Sequence, residues 1–83
     1  MQMSKKSTTQ KRKLRELLRQ LREKVCLRQV DLAERLHRPQ SFVSKYESGE
    51  KTLSFLEVGE VCHALGMPLA DFVSRFEQEA DES

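Results

Sequence analysis

The sequence has few residues that break regular structure, with three glycines and two prolines among 83 residues. This scarcity indicates few turns and long elements, and only the pair Phe42-Val43 resembles a strand. The sequence therefore predicts an all-α fold. A chain of this length forms one small domain, and folding buries only about 60% of the surface of the unfolded chain, so one compact core is the limit.

Cysteine is also scarce, since only Cys26 and Cys62 are present and they fit no CxxC pattern or other metal-ligand spacing. We expect both thiols to be reduced and to lie in the core. A zinc site that combines them with His37 and His63 is the disfavoured alternative, so no metal or cofactor is predicted. The N-terminus lacks an apolar signal segment, and no apolar run is long enough to span a membrane. These absences predict a cytoplasmic protein with no membrane partner.

Charge is unevenly distributed along the chain, although the net charge is only +2. Residues 1–24 carry nine Lys/Arg and two Glu, a net charge of +7. Residues 67–83 carry one Arg and five Asp/Glu, a net charge of −4. This polarity favours a polyanion partner on one face. A solvated, disordered basic tail is the alternative, and charge alone does not decide between the two.

Apolar residues recur at helical spacing in five segments. The predicted helices cover about 9–24, 29–36, 40–47, 55–65 and 68–79. Residues 1–8 are expected to form a flexible basic arm and residues 80–83 an acidic tail, so the domain spans 9–79. The apolar residues expected to face the core include Leu14, Leu17, Leu18, Leu21, Val25, Leu32, Ala33, Val43, Leu56, Val61 and Leu65.

The segment RPQSFVSKYESGEK, residues 38–51, predicts a short helix with one polar side. Val43 and Tyr46 are expected to point inward, the tyrosine with its hydroxyl at the surface. Because about three residues join this helix to the one before it, the two short helices predict a helix-turn-helix. Glutamine can pair with adenine, lysine with guanine, and serine with either. The residues predicted to contact base edges are Gln40, Ser41, Ser44 and Lys45.

Phosphate contacts are predicted on both sides of this helix. Gln29 begins the second helix, where free amides and the helix dipole favour a phosphate. Ser48 and Lys51 follow the third helix, and Arg38 and Arg28 precede the third and second helices. The alternative interpretation of the polar side is an ordinary solvated surface.

The segment from Leu14 to Leu69 resembles the Cro/repressor-type (Xre) family of helix-turn-helix transcriptional regulators. The resemblance rests on Gln29-x-x-Leu32-Ala33, on Ser41-x-x-Ser44-Lys45-Tyr46-Glu47-x-Gly49, and on Leu56 and Ala64-Leu65-Gly66. It implies a five-helix, lambda-repressor-like DNA-binding domain with the third helix in the major groove of double-stranded DNA. It also implies base contacts at the four positions already named and a phosphate contact at Gln29.

The same resemblance implies a partly buried ion pair between Arg22 and Glu47, which would tie the first helix to the third. Two positions depart from the family pattern. His37 stands at the turn, where the family usually has glycine, and Arg28 stands where the family usually caps the second helix with Ser or Thr. These departures leave the fold prediction intact and put the local turn geometry in question.

The fifth helix carries more apolar side chains than one small core needs. The residues predicted to form a dimer interface, with Phe55 nearby, are Leu69, Phe72, Val73 and Phe76. Since helix-turn-helix proteins commonly bind paired half-sites as two-fold dimers, the sequence predicts a homodimeric repressor-like regulator on a two-fold symmetric operator. The alternative is a protein-interaction module of the same fold, such as an antitoxin or anti-repressor partner. An enzyme is disfavoured, because no acid–base pair, activated nucleophile or phosphate loop is visible.

Overall fold

The computed structural model describes residues 2–79 and the side chains of residues 9–79. Within that part of the chain, the structure consists of five α-helices without a β-strand, which confirms the all-α prediction. The helices are α1 (Gln2–Lys24), α2 (Gln29–Leu36), α3 (Gln40–Ser48), α4 (Phe55–Ala64) and α5 (Leu69–Gln78). The predicted acidic tail, 80–83, lies outside the described residues.

Helix α1 begins at Gln2 rather than near residue 9. The predicted start of the first helix was therefore wrong, and the flexibility of residues 1–8 stays a prediction. Residues 2–8 contain no Gly or Pro, and lysine and glutamine extend a helix at little cost. The apolar stripe starts only at Leu14, so periodicity alone could not reveal the earlier turns.

The core lies where α2 and α3 pack against α1 and α4, with α5 closing the bundle. Val58, Val61, Cys62 and Leu65 recur at i, i+3, i+4 and i+7 and form the buried side of α4 and its end. Leu56 lies on the opposite side of that helix and is 75% exposed, so the prediction that it faces inward was wrong. The side chains with the least exposure are Leu18, Leu32, Val43, Tyr46, Val61 and Cys62.

Two helices end in left-handed turns that are not formed by glycine, at Cys26 (φ 60°) and His37 (φ 57°). After α2, the His37 amide donates to the Glu34 carbonyl at 3.1 Å and the Arg38 amide to the Ala33 carbonyl at 3.0 Å. This is the Schellman pattern, which usually recruits glycine. Cys26 is consequently exposed and does not lie in the core as predicted, whereas Cys62 is buried.

Candidate nucleic-acid interface

Helix α3 has a buried side and an exposed polar side. Phe42, Val43 and Tyr46 are at most 8% exposed, because they face the other helices. Their spacing of one and three residues places them on one side, so the intervening polar residues turn outward. Four residues were predicted to contact base edges. Of these, Gln40, Ser41 and Lys45 are exposed and Ser44 is half-buried.

The ends of α3 are set by two residues with restricted or unusual backbone. Pro39 precedes the helix with φ −66°, the value its ring imposes, and its carbonyl accepts the Phe42 amide at 2.9 Å. Gly49 follows the helix with φ 91°, a conformation that side chains with a Cβ rarely adopt. The polar side is therefore limited to about two and a half turns.

A buried ion pair fixes α3 against α1. The Nε and Nη2 atoms of Arg22 donate to the two carboxylate oxygens of Glu47 at 2.7 and 2.9 Å. The remaining Nη1 donates to the Leu27 carbonyl at 2.7 Å. Both charged side chains are less than 10% exposed, and the hydrogen bonds that Arg22 donates to Glu47 raise the pKa of Arg22 further above its ordinary value. Bidentate geometry of this kind holds the end of α3 in one orientation.

Glu47 also orients the first residue of α2. The amide Nε2 of Gln29 donates to Glu47 Oε1 at 2.9 Å. Since a carboxylate accepts only, the other end of that amide, Oε1, faces Gln40, whose Nε2 lies 3.4 Å away. The structure thus brings together three residues that the sequence had placed in separate roles, and it links the beginning and the end of α3 through Gln29.

Arg38 and Lys51, two of the predicted phosphate ligands, pair with carboxylates of α4. Arg38 lies 3.0 Å from Glu60 and 3.8 Å from Glu57, and Lys51 lies 3.4 Å from Glu57. Both cations also approach the ring of Phe42, with centroid distances of 4.3 and 5.8 Å. These contacts tie α3 to α4, so Phe42 is part of the scaffold and the two cations are already partnered.

Arg28 and Ser48 are likewise engaged within the chain. The Nε and Nη2 atoms of Arg28 donate to the two carboxylate oxygens of Asp31, each at 3.0 Å. The backbone amide of Arg28 donates to Oδ2 of the same carboxylate at 2.8 Å. Asp31 therefore satisfies the backbone amide of the N-cap residue Arg28, as the N3 residue of a capping box does, and the Arg28 guanidinium lowers the pKa of Asp31 to about 2. The Ser48 hydroxyl donates to the Lys45 carbonyl at 3.1 Å and remains exposed.

The apolar residues of α5 divide between the core and the surface. Phe72 is 2% exposed and completes the core of the single chain, whereas Val73 is 40% exposed. Leu69 and Phe76 are partly buried. An apolar groove of about 270 Å³ runs from Val73 to Phe55, which is 68% exposed. Leu56, which the sequence had placed in the core, is a second exposed apolar residue at the start of α4.

Among residues 2–79, no group of three or more His, Cys, Asp and Glu side chains is arranged to hold a metal ion. No helix of the described residues is long and apolar enough to cross a membrane.

Comparisons with known proteins agree with this geometry. Residues 13–74 match a protein family described as a helix-turn-helix domain. A search of curated proteins found no match. Among solved structures, an XRE-family like protein from Pseudomonas syringae pv. tomato superposes with a TM-score of 0.88 at 32% sequence identity, covering 95% of this chain and 96% of that one. The chain therefore belongs to the XRE-type family of helix-turn-helix proteins.

Proposed function

We propose that this chain is a sequence-specific DNA-binding transcriptional regulator whose helix α3 enters the major groove. One observation carries the proposal, namely a short helix that buries its apolar side completely and presents amide, hydroxyl and ammonium groups outward. These groups match the donors and acceptors of base edges. Gln40, Ser41, Ser44 and Lys45 contact bases in this proposal.

The pair Gln29 and Gln40 supplies the most ordered of these contacts. Because Gln29 is held by Glu47, its Oε1 steers the amide of Gln40 before DNA arrives. A prearranged side chain loses less rotational freedom on binding. Gln29 also begins α2, where free backbone amides face a phosphate.

The remaining phosphate contacts fall into two groups. Ser48 keeps an exposed hydroxyl at the end of α3 and can contact the DNA backbone directly. Arg28, Arg38 and Lys51 contact phosphate only by exchanging or sharing a carboxylate partner. We therefore expect these three residues to contribute less to phosphate binding than Gln29 and Ser48.

We further propose that two copies associate through the apolar area of α4 and α5 and bind a two-fold symmetric site. Phe55, Leu56 and Val73 are exposed and belong to neighbouring elements, and Leu69 and Phe76 flank them. Exposed apolar area of this kind marks protein interfaces. The same exposed area also fits the alternative, in which α4 and α5 bind a different protein. A monomeric mass of the isolated chain in solution would support that alternative.

The test is selection of bound duplexes from a random pool, followed by titration of the enriched sequence. We expect a two-fold symmetric site whose preference over random DNA is lost in the Gln40→Ala/Lys45→Ala double variant, by about 1–3 kcal/mol per base contact. Arg19→Ala is the matched control, because Arg19 is an exposed cation of α1 paired with Glu23 at 3.1 Å. Equal binding of selected and random duplexes by the wild type would contradict the proposal.

A further inference from the structure

A small cleft opens between α1 and the end of α3. Its volume is about 40 Å³, far below the roughly 300 Å³ of a typical small-molecule site. It can therefore admit a few oxygen atoms but not a metabolite-sized ligand. Its walls include Lys11, Arg15, Tyr46, Gly49 and Lys51.

The charge in this cleft is of one sign. Lys11, Arg15 and Lys51 line it, and none of the acidic residues that the structure describes does. Lys51 is shared with Glu57 at 3.4 Å. Within the described part of the chain, neither Arg15 nor Lys11 has a carboxylate or carbonyl partner. Arg15 and Lys11 thus remain without a countercharge beside α3 in the described part of the chain.

The guanidinium of Arg15 lies against Gly49. An ideal Cβ atom on Gly49 would lie 3.0 Å from the Cζ atom of Arg15 and 3.2 Å from both Nη atoms. These nearly equal distances mean that the flat face of the guanidinium rests over Gly49. Its N–H donors lie in that plane and consequently point sideways, away from Gly49. A planar guanidinium with free edge donors is suited to two oxygens of one phosphate.

Tyr46, which also lines this cleft, has a buried hydroxyl. Tyr46 is 1% exposed, and its hydroxyl has no hydrogen-bond partner among the described residues. The expectation that this hydroxyl reaches the surface was wrong. A buried hydroxyl without a partner costs free energy unless a ligand satisfies it. The cleft therefore combines two uncompensated cations with an unused donor.

We infer that this cleft binds a phosphate group of the DNA backbone, with Arg15 and Lys11 as its ligands and the Tyr46 hydroxyl as a third donor. The inference rests on the proposed function. The cleft lies at the end of α3, beside Gly49, so a phosphate bound there would flank the helix that is proposed to enter the major groove.

The first test is the salt dependence of binding to the selected duplex, measured by fluorescence anisotropy. Each phosphate contact contributes about 0.9 to the slope of log affinity against log salt. We expect Arg15→Gln to lower that slope by about one and the affinity roughly tenfold, without changing the preferred sequence. Arg12→Gln is the matched control, because Arg12 is an exposed cation of α1 outside the cleft. Equal effects of the two substitutions would overturn the inference.

A second experiment distinguishes failure of the phosphate site from failure of the proposed function. Thermal unfolding is followed without DNA in inorganic phosphate and in chloride at matched ionic strength. We expect phosphate to raise the Tm of the wild type and not of Arg15→Gln, because a ligand that binds the folded state stabilises it. If the wild type shows this effect but binds no duplex specifically, the proposed function fails, and with it the assignment to a DNA phosphate. No phosphate effect and no Arg15-specific loss of DNA affinity would refute the cleft itself.

Tyr46→Phe tests the third donor, since it removes one oxygen and keeps the ring in the core. We expect this variant to be at least as stable as the wild type without DNA and to bind the selected duplex several-fold more weakly. A variant that gains stability and retains full affinity would show that the hydroxyl is only an unpaired core group.

Discussion

The cations near α3 divide into two groups that the sequence does not distinguish. Arg22, Arg38 and Lys51 have carboxylate partners and bind α3 to its neighbours. Arg15 and Lys11 line a cleft and lack such partners in the described part of the chain. The first group stabilises the position of the helix, whereas the second retains charge for a polyanion. A basic residue therefore indicates DNA contact only once its acidic neighbours are known.

The largest expected effect on stability is at Glu47, the partner of Arg22. Glu47→Gln leaves the Arg22 guanidinium buried without a countercharge, and removing one partner of a buried pair costs about 3–5 kcal/mol. Urea unfolding followed by circular dichroism measures the loss. Glu23→Gln is the control, because Glu23 lies 3.9 Å from the same guanidinium but is half exposed. If both variants lose the same stability, the two carboxylates are equivalent and the division between buried and exposed pairs is not valid.

The next effect concerns the apolar area of α4 and α5. Phe55→Ser removes an exposed aromatic side chain from the proposed interface, so we expect the dimer to dissociate at least tenfold more readily. Sedimentation equilibrium measures the change. Phe72→Leu is a useful contrast, since Phe72 is buried and its substitution should lower stability and leave association less affected. A wild type that is monomeric at all concentrations would contradict the dimer.

A smaller effect is expected at the turn after α2. His37 has φ 57°, and the left-handed conformation costs a residue with a Cβ about 1–2 kcal/mol. His37→Gly should therefore raise the free energy of unfolding by about 1 kcal/mol, after allowance for the greater entropy of an unfolded glycine. His37→Ala retains the Cβ and serves as control. A gain in the alanine variant equal to that in the glycine variant would attribute the effect to the imidazole.

The smallest effect concerns Asp31, which pairs with the exposed Arg28. Because its pKa is lowered to about 2 in the folded protein, its contribution is fully present above about pH 4, the ordinary aspartate pKa. That contribution is lost as the pH falls through about 2. We expect Asp31→Asn to be less stable than the wild type at pH 7 and nearly equal to it at pH 2, in urea titrations at both values. A constant difference across that range would show that the ion pair with Arg28 contributes nothing.

Much of the fold could be predicted from the sequence, because it depends on local signals. Helical spacing located α2 to α5 within one residue at each end. Exposure of the polar side of α3 followed from Val43 and Tyr46 facing inward. The partners of Arg38 could not be predicted, since Glu60 is 22 residues away and only the folded chain brings it close. Leu56 was misassigned because a hydrophobic residue beside a helix cap does not reveal which side of the helix it occupies.

The double role of Glu47 has a consequence for how related proteins can change their target sites. Glu47 holds both Arg22 and Gln29, so a substitution there disturbs the fold and the first amide of the interface together. Ser41 and Lys45 are exposed, and no other helix depends on their side chains in the described structure. Substitutions at positions 41 and 45 would therefore change the proposed base contacts with little loss of folding stability, whereas residue 47 is constrained. Duplicated copies of such a gene would be expected to diverge at 41 and 45 long before they diverge at 47.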